Sequence, residues 1–128
     1  MISCAKCGNQ FIRRELNSVE SGFAPQWIDN CEIVPEGMFW ATKLSFFQLA
    51  DDKSDTKVIV VNGGDVIGLL EDSSKCHGCC GNCEHVPNRL CYQCEAAVGT
   101  RIDDCWTSFY LYFFADNVNL RGIDRNAQ

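Results

Sequence analysis

The sequence predicts an α+β or mainly β fold, in which a small antiparallel sheet with short helices carries a zinc-bound, cysteine-rich loop region. Three observations predict it. Aromatic and β-branched runs at 38–49, 57–61 and 106–114 are separated by polar turns, which is the pattern of strands. The first 37 residues show only poor helical periodicity. Eight of the ten cysteines fall in Cys-x2-Cys pairs outside the strand-like runs. At 128 residues, 46 % hydrophobic and 22 % charged, the chain has the size and balance of one globular domain spanning 1–128, and no repeat or linker divides it.

The segment 1–37 opens with Cys4-x-x-Cys7-Gly8 and ends at the turn Pro35-Glu36-Gly37. Within it Phe11, Ile12, Leu16 and Val19 could mark one face of an amphipathic helix. Met38 to Leu49 and Lys57 to Val61 then read as a hairpin with Asp51 to Asp55 at its tip. Asn62-Gly63-Gly64 breaks the second strand. Asp65 can cap a short helix running to Leu70, which Glu71 and Asp72 end because acidic groups oppose the dipole there. In the last third, Trp106 to Phe114 is apolar on both faces, Phe109, Leu111 and Phe113 on one and Tyr110, Tyr112 and Phe114 on the other. It predicts a strand covered on both sides. After Asn117 no pattern persists, and fraying is expected.

Spacing is the strongest chemical signal. Cys4/Cys7, Cys76/Cys79, Cys80/Cys83 and Cys91/Cys94 are four Cys-x2-Cys pairs, where chance predicts about one. Two intervening residues let a tight turn aim both sulfurs at one metal, and two such turns complete a tetrahedron around zinc. Four pairs therefore predict two Zn2+ sites. The most local pairing sets Cys80 and Cys83 with Cys91 and Cys94, leaving Cys4 and Cys7 to join Cys76 and Cys79, although the spacing permits crossed pairings equally. His77 or His85 could replace one thiolate. Gly8 after Cys7 and Gly81 after Cys80 suit the positive φ such turns need, whereas Cys94 is followed by Glu95.

The segments Cys4-Ala-Lys-Cys7-Gly8 and Leu90-Cys91-Tyr92-Gln93-Cys94 resemble the knuckles of zinc-ribbon proteins. The stretch Cys79-Cys80-Gly81, Pro87-Asn88-Arg89-Leu90-Cys91, Cys94 and Val98 to Thr107 is similar to a group of small, uncharacterised bacterial proteins. That second resemblance implies no activity.

Disulfides, an iron–sulfur cluster and redox thiols are the competing uses of so many cysteines. The N-terminus lacks a basic stretch leading into an apolar one, Arg13, Arg14 and Glu15 interrupt a signal-peptide pattern, and no Asn-x-Ser/Thr sequon occurs. These features predict a cytoplasmic protein with reduced thiols. The longest apolar run, 109–115, falls far short of the ~20 residues of a membrane span. Cys31 and Cys105, outside the pairs, are expected to be buried small hydrophobes.

The sequence displays no catalytic constellation. Only two histidines occur, His-Glu-x-x-His is missing, and Asn62-Gly63-Gly64-Asp65 lacks the lysine of a phosphate loop. A formal charge of −6 repels a phosphate backbone, which disfavours Trp40, Lys43 and Phe46 as a stacking platform for nucleic acid. The favoured expectation is a non-enzymatic zinc-binding protein that engages a protein partner, for example as an inhibitor or immunity protein for a basic one. Two alternatives stay open. One is a zinc-dependent enzyme with an open metal site, using His77 or His85 as ligand and Asp103 or Asp104 as base; the other is a thiol redox switch.

Overall fold

A computed structural model describes residues 1–47, 56–72, 87–103 and 108–121. The fold is mainly β, as the strand-like runs predict. Nine short strands are described: β1 (Ile2–Cys4), β2 (Asn17–Ser18), β3 (Met38–Lys43), β4 (Lys57–Val61), β5 (Leu69–Glu71), β6 (Arg89–Cys91), β7 (Ala97–Ile102), β8 (Tyr110–Phe114) and β9 (Val118–Leu120). Seven of them form a sheet in the order β2-β3-β4-β8-β7-β6-β5, antiparallel except for the parallel β2–β3 contact. β1 and β9 make a separate antiparallel pair. The only helices among the described residues are 3₁₀ turns at Leu44–Phe47, Gly63–Asp65 and Ala115–Asn117.

The expected hairpin is present, with Phe39 opposite Val61 and Lys43 opposite Lys57, but its first strand stops at Lys43, where the 3₁₀ turn Leu44–Phe47 replaces the strand expected to run to Leu49. Strand β8 lies at the centre of the sheet, between β4 and β7, so its two apolar faces are both covered. Side chains alternate along a strand, and the sheet therefore separates two cores. One face gathers Phe39, Ala41, Ile59, Val61, Val98, Leu111 and Phe113 with Ile2, Cys4, Phe11, Ile12, Cys91 and Val118. The other gathers Trp40, Val58, Val60, Ile102, Tyr110 and Tyr112 with Val19, Ile33, Val34, Leu44 and Phe47. Burying one such large side chain stabilises the fold by about 1.5–3 kcal/mol. On the second face the rings stack, with Phe47 4.7 Å from Tyr110 and 5.5 Å from Tyr112 between centroids. Gly99 on β7 sits so close to β8 that a Cβ there would strike the Tyr112 carbonyl oxygen.

Several expectations are corrected. Phe11, Ile12, Leu16 and Val19 do not form a helix. The segment is extended, sending Phe11 and Ile12 into the first core and Val19 into the second, so a spacing that mimics a helical face arises from a chain that changes faces. Asp65 does not cap a helix to Leu70. Asn62 caps the 3₁₀ turn instead, by accepting from Gly64 N at 2.8 Å, and Leu69–Glu71 is strand β5. The Asp65 carboxylate is fully buried, where it accepts from Gly37 N at 2.7 Å and pairs with Arg14 Nε at 2.8 Å. Residues just after Asn117 do not fray but pair with the N-terminal strand as β9, and the Met1 ammonium donates to the Arg121 carbonyl. The hairpin tip at 51–55 and the tail beyond 121 lie outside the described residues.

Candidate metal centre

Two hairpin turns of the same construction build the centre. In the first, β1 delivers Cys4, the chain turns, and Gly8 N donates to the Cys4 carbonyl at 2.8 Å. Cys4 N donates to the Asn9 carbonyl at 2.8 Å, and Gln10 and Phe11 run back beside Ser3 and Ile2. In the second, β6 delivers Cys91, Glu95 N donates to the Cys91 carbonyl at 2.8 Å, and Cys91 N donates to the Ala96 carbonyl at 2.8 Å. The chain returns as β7. Each turn needs one residue in the left-handed region after its second cysteine. Gly8 supplies it at φ 81°, while Glu95 adopts φ 61° without the freedom of a glycine.

The two turns face each other and bring four sulfurs together. Cys4 Sγ lies 3.6 Å from Cys94 Sγ, Cys7 Sγ lies 3.5 Å from Cys91 Sγ, and all four sulfurs are within 4.8 Å of one another. Zn–S bonds of about 2.3 Å at tetrahedral angles place sulfurs about 3.8 Å apart, close to this arrangement. Every cysteine among the described residues is a free thiol. Backbone amides point at the sulfurs, Lys6 N reaching Cys4 Sγ at 3.4 Å and Asn9 N serving Cys7. The Gln93 and Cys94 amides serve Cys91, and the Ala96 amide serves Cys94. Each turn therefore donates to both of its own sulfurs, which favours thiolates.

Crowding opposes that preference. At Cys7 the Asn9 amide favours the thiolate, but burial and the neighbouring sulfurs outweigh it and push the thiol up to about 12. At Cys94 the Ala96 amide is likewise outweighed by burial and by Cys4, and the thiol is raised. Burial also acts against the Cys91 thiolate, yet the amides of Cys94 and Gln93, with Cys7 and Asn9, bring it down to about 6. Four sulfurs this close cannot all ionise unless a cation balances them, and a divalent metal does so. Cys4 and Cys91 are buried and Cys7 and Cys94 half-buried, so the centre sits at the rim of the first core. The four cysteines could hold a metal ion.

The favoured local pairing gives way to a crossed one. Among the described residues Cys91 and Cys94 meet Cys4 and Cys7, because β1 and β6 approach on the same side of the sheet and their turns project together. Cys76, His77, Cys79, Cys80, Cys83 and His85 lie outside the described residues, as do Asp104, Cys105, Trp106 and Thr107. Cys31 is exposed rather than buried. Asp103 is half exposed and pairs with Arg101 at 3.6 Å, while Arg101 grips Glu32 through two contacts of 3.0 and 2.7 Å. Trp40 is buried in the aromatic core, so Trp40, Lys43 and Phe46 do not make an exposed platform.

Sequence reasoning missed Asn9 and Gly68, which touch the centre from outside the ligand set. Asn9 Nδ2 donates to Cys91 Sγ at 3.6 Å and to the Gly68 carbonyl at 3.1 Å. The position of Asn9, directly after Cys-x2-Cys-Gly, is the one sequence signal that could have singled it out. Gly68 lies far from any cysteine pair and carries no such signal.

No protein-family model matches the chain, and no curated protein or solved structure matches it significantly. Among the described residues no helix is long and apolar enough to cross a membrane.

Proposed function

We propose that this protein is a zinc-stapled, non-enzymatic module that binds another protein. The observation that carries the proposal is the completeness of the sulfur set: Cys4, Cys7, Cys91 and Cys94 offer one donor for each corner of a tetrahedron. Four protein ligands leave no position for water or substrate, and such a site contributes folding energy instead of chemistry. Zinc is the metal of choice because it accepts four thiolates without redox change. The remaining pairs, Cys76/Cys79 and Cys80/Cys83, take a second zinc, with His77 or His85 as a substitute for one thiolate; spacing alone supports this second site. A cytoplasmic location, which keeps the thiols reduced, suits both.

The partner is expected to be a basic protein. The formal charge is −6, and each four-thiolate zinc site adds about −2. Three large side chains are exposed next to the aromatic core: Trp27 at 52 %, Ile28 at 50 % and Phe46 at 37 %, with Trp27 stacked on Phe46 at 5.9 Å. Exposed aromatic clusters of this kind serve as anchors in interfaces. An inhibitor or immunity role fits that combination of charge and anchors. Native mass spectrometry with and without chelator, beside X-ray absorption at the zinc edge, tests the metal. Two zincs with four-coordinate shells of sulfur, or of sulfur and one histidine nitrogen, support the proposal; an oxygen ligand or an open position on either metal would point to an enzyme and overturn it.

A further inference from the structure

We propose that Asn9 and Gly68 act as a clamp that holds the two cysteine turns face to face and so governs how long the metal stays bound. The inference rests on the metal centre described above and deepens it. Asn9 belongs to the first turn, where its carbonyl accepts from Cys4 N at 2.8 Å, yet its side-chain amide crosses to Cys91 Sγ of the second. The same Nδ2 also donates to the Gly68 carbonyl at 3.1 Å. That carbonyl accepts a second bond, from Tyr92 N at 2.9 Å, inside the second turn. One oxygen therefore ties both turns together. Because both neighbours of Nδ2 are acceptors, the amide can face them only with its nitrogen.

The clamp is itself anchored. Ile67 N donates to the Phe11 carbonyl at 2.8 Å, and Val66 bridges Ile12, so the segment carrying Gly68 is fastened to the strand that returns from the first turn. Gly68 adopts φ 74°, and a Cβ there would press on the Gln10 carbonyl and on Asn9 Nδ2. Glycine is thus required twice over, by conformation and by space. Groups that orient metal ligands from outside the ligand set commonly change metal affinity about 10- to 100-fold when removed. Hydrogen bonding also withdraws charge from a thiolate, so the bond to Cys91 Sγ should leave a mark on the metal's own spectrum.

The test loads the full chain with cadmium-113 and with zinc, comparing wild type, Asn9→Ala, Asn9→Asp and a control, Val98→Ala, which opens a cavity in the same core and removes no hydrogen bond to a sulfur. The cadmium resonance that couples to the β protons of Cys91 should move in both Asn9 variants and stay in place in the control. Chelator-driven zinc release from that centre should accelerate about 10-fold or more in Asn9→Ala, and more again in Asn9→Asp, whose carboxylate faces two acceptors. Tryptophan fluorescence, to which Trp40 contributes from the opposite face, reports that the sheet remains folded. A cadmium resonance unmoved in Asn9→Ala, or release within about twofold of wild type, overturns the clamp. A wild-type protein whose cadmium fails to couple to Cys4, Cys7, Cys91 and Cys94 overturns the metal centre itself, a result distinct from either.

Discussion

The two faces of the sheet are closed by different means. The aromatic face draws most of its bulk from β3, β4, β8 and the turn at 44–47, and it is filled by the stacked rings of Phe47, Tyr110 and Tyr112, with Trp40 edge-on to Phe47. The other face has aliphatic residues and one stacked pair, Phe11 on Phe113 at 5.4 Å, and its edge is built from Ile2, Cys4, Cys91 and Val118, which belong to three-residue strands. Strands of three residues present little apolar area of their own. The difference teaches that segments too short to secure themselves meet around four cysteines that could hold a metal ion, whereas ring packing suffices where longer strands supply the area.

The sharpest way to break that comparison is to remove one ligand. Cys91→Ser should lower the metal count by one and destabilise the protein by more than about 4 kcal/mol, since the bound metal's free energy is folding free energy. Native mass spectrometry and thermal unfolding of the same sample check both halves. Loss of the metal with no change in melting temperature would show that the sulfur cluster does not support its face.

Neighbouring residues on β8 give the next largest effect. Phe113→Ala and Tyr112→Ala empty opposite faces, and each should cost about 3–5 kcal/mol in denaturant unfolding. Their response to metal separates them. In chelator-treated protein the cost of Phe113→Ala should shrink by about 0.5–3 kcal/mol, because its surroundings have already loosened, while the cost of Tyr112→Ala should be unchanged. Equal shrinkage at both positions would mean that the faces unfold as one unit and that the metal serves them alike.

The same contrast explains what could be read in the sequence. Strands β3, β4 and β8 were legible because each is a run of β-branched or aromatic residues within five or six positions, and the covered second face of β8 follows from its two apolar sides. Strands β1, β5, β6 and β9 span three residues each, too few for any period to show. The ligand type was legible from Cys-x2-Cys spacing, but the partnership of Cys4/Cys7 with Cys91/Cys94 was not. Loop closure grows only with the logarithm of length, so preferring the seven-residue connection over one of about 80 residues gains only about 2 kcal/mol. Sheet packing outweighs that margin. Gly8 advertises its turn, whereas Glu95 conceals an equivalent one.

Proton uptake sharpens the electrostatic side of the comparison. Cys7, held near 12, and Cys94, also raised, carry protons at pH 7 in the metal-free protein. Metal binding needs both as thiolates and so expels at least these two protons. Apparent zinc affinity at this centre should rise by at least about 100-fold per pH unit near neutrality, or about 2.7 kcal/mol, and fall as the pH drops. Below about pH 6 the slope should steepen as Cys91, held near 6, also becomes protonated. Competition against a chromophoric chelator across about pH 5.5 to 8 measures the slope; a tenfold change per unit would mean that only one proton leaves.

The smallest effect compares the two turns with each other. Gly8 and Glu95 occupy the same place after the second cysteine, at φ 81° and φ 61°, but only one of them is free of a Cβ. The left-handed region costs a residue with a side chain about 1 kcal/mol or more, which the second turn bears and the first does not. Glu95→Gly should therefore stabilise the metal-loaded protein by about 0.5 kcal/mol, the relief being partly offset by the greater freedom of glycine in the unfolded chain. Gly8→Ala should do the reverse, costing about 1 kcal/mol. No heavy atom lies within 4 Å of a Cβ built at Gly8, so that cost is conformational and owes nothing to a clash. Denaturant titration of both variants with zinc bound should give shifts of opposite sign. Shifts of the same sign would show that the two turns, alike in hydrogen bonding, are held by different backbone forces.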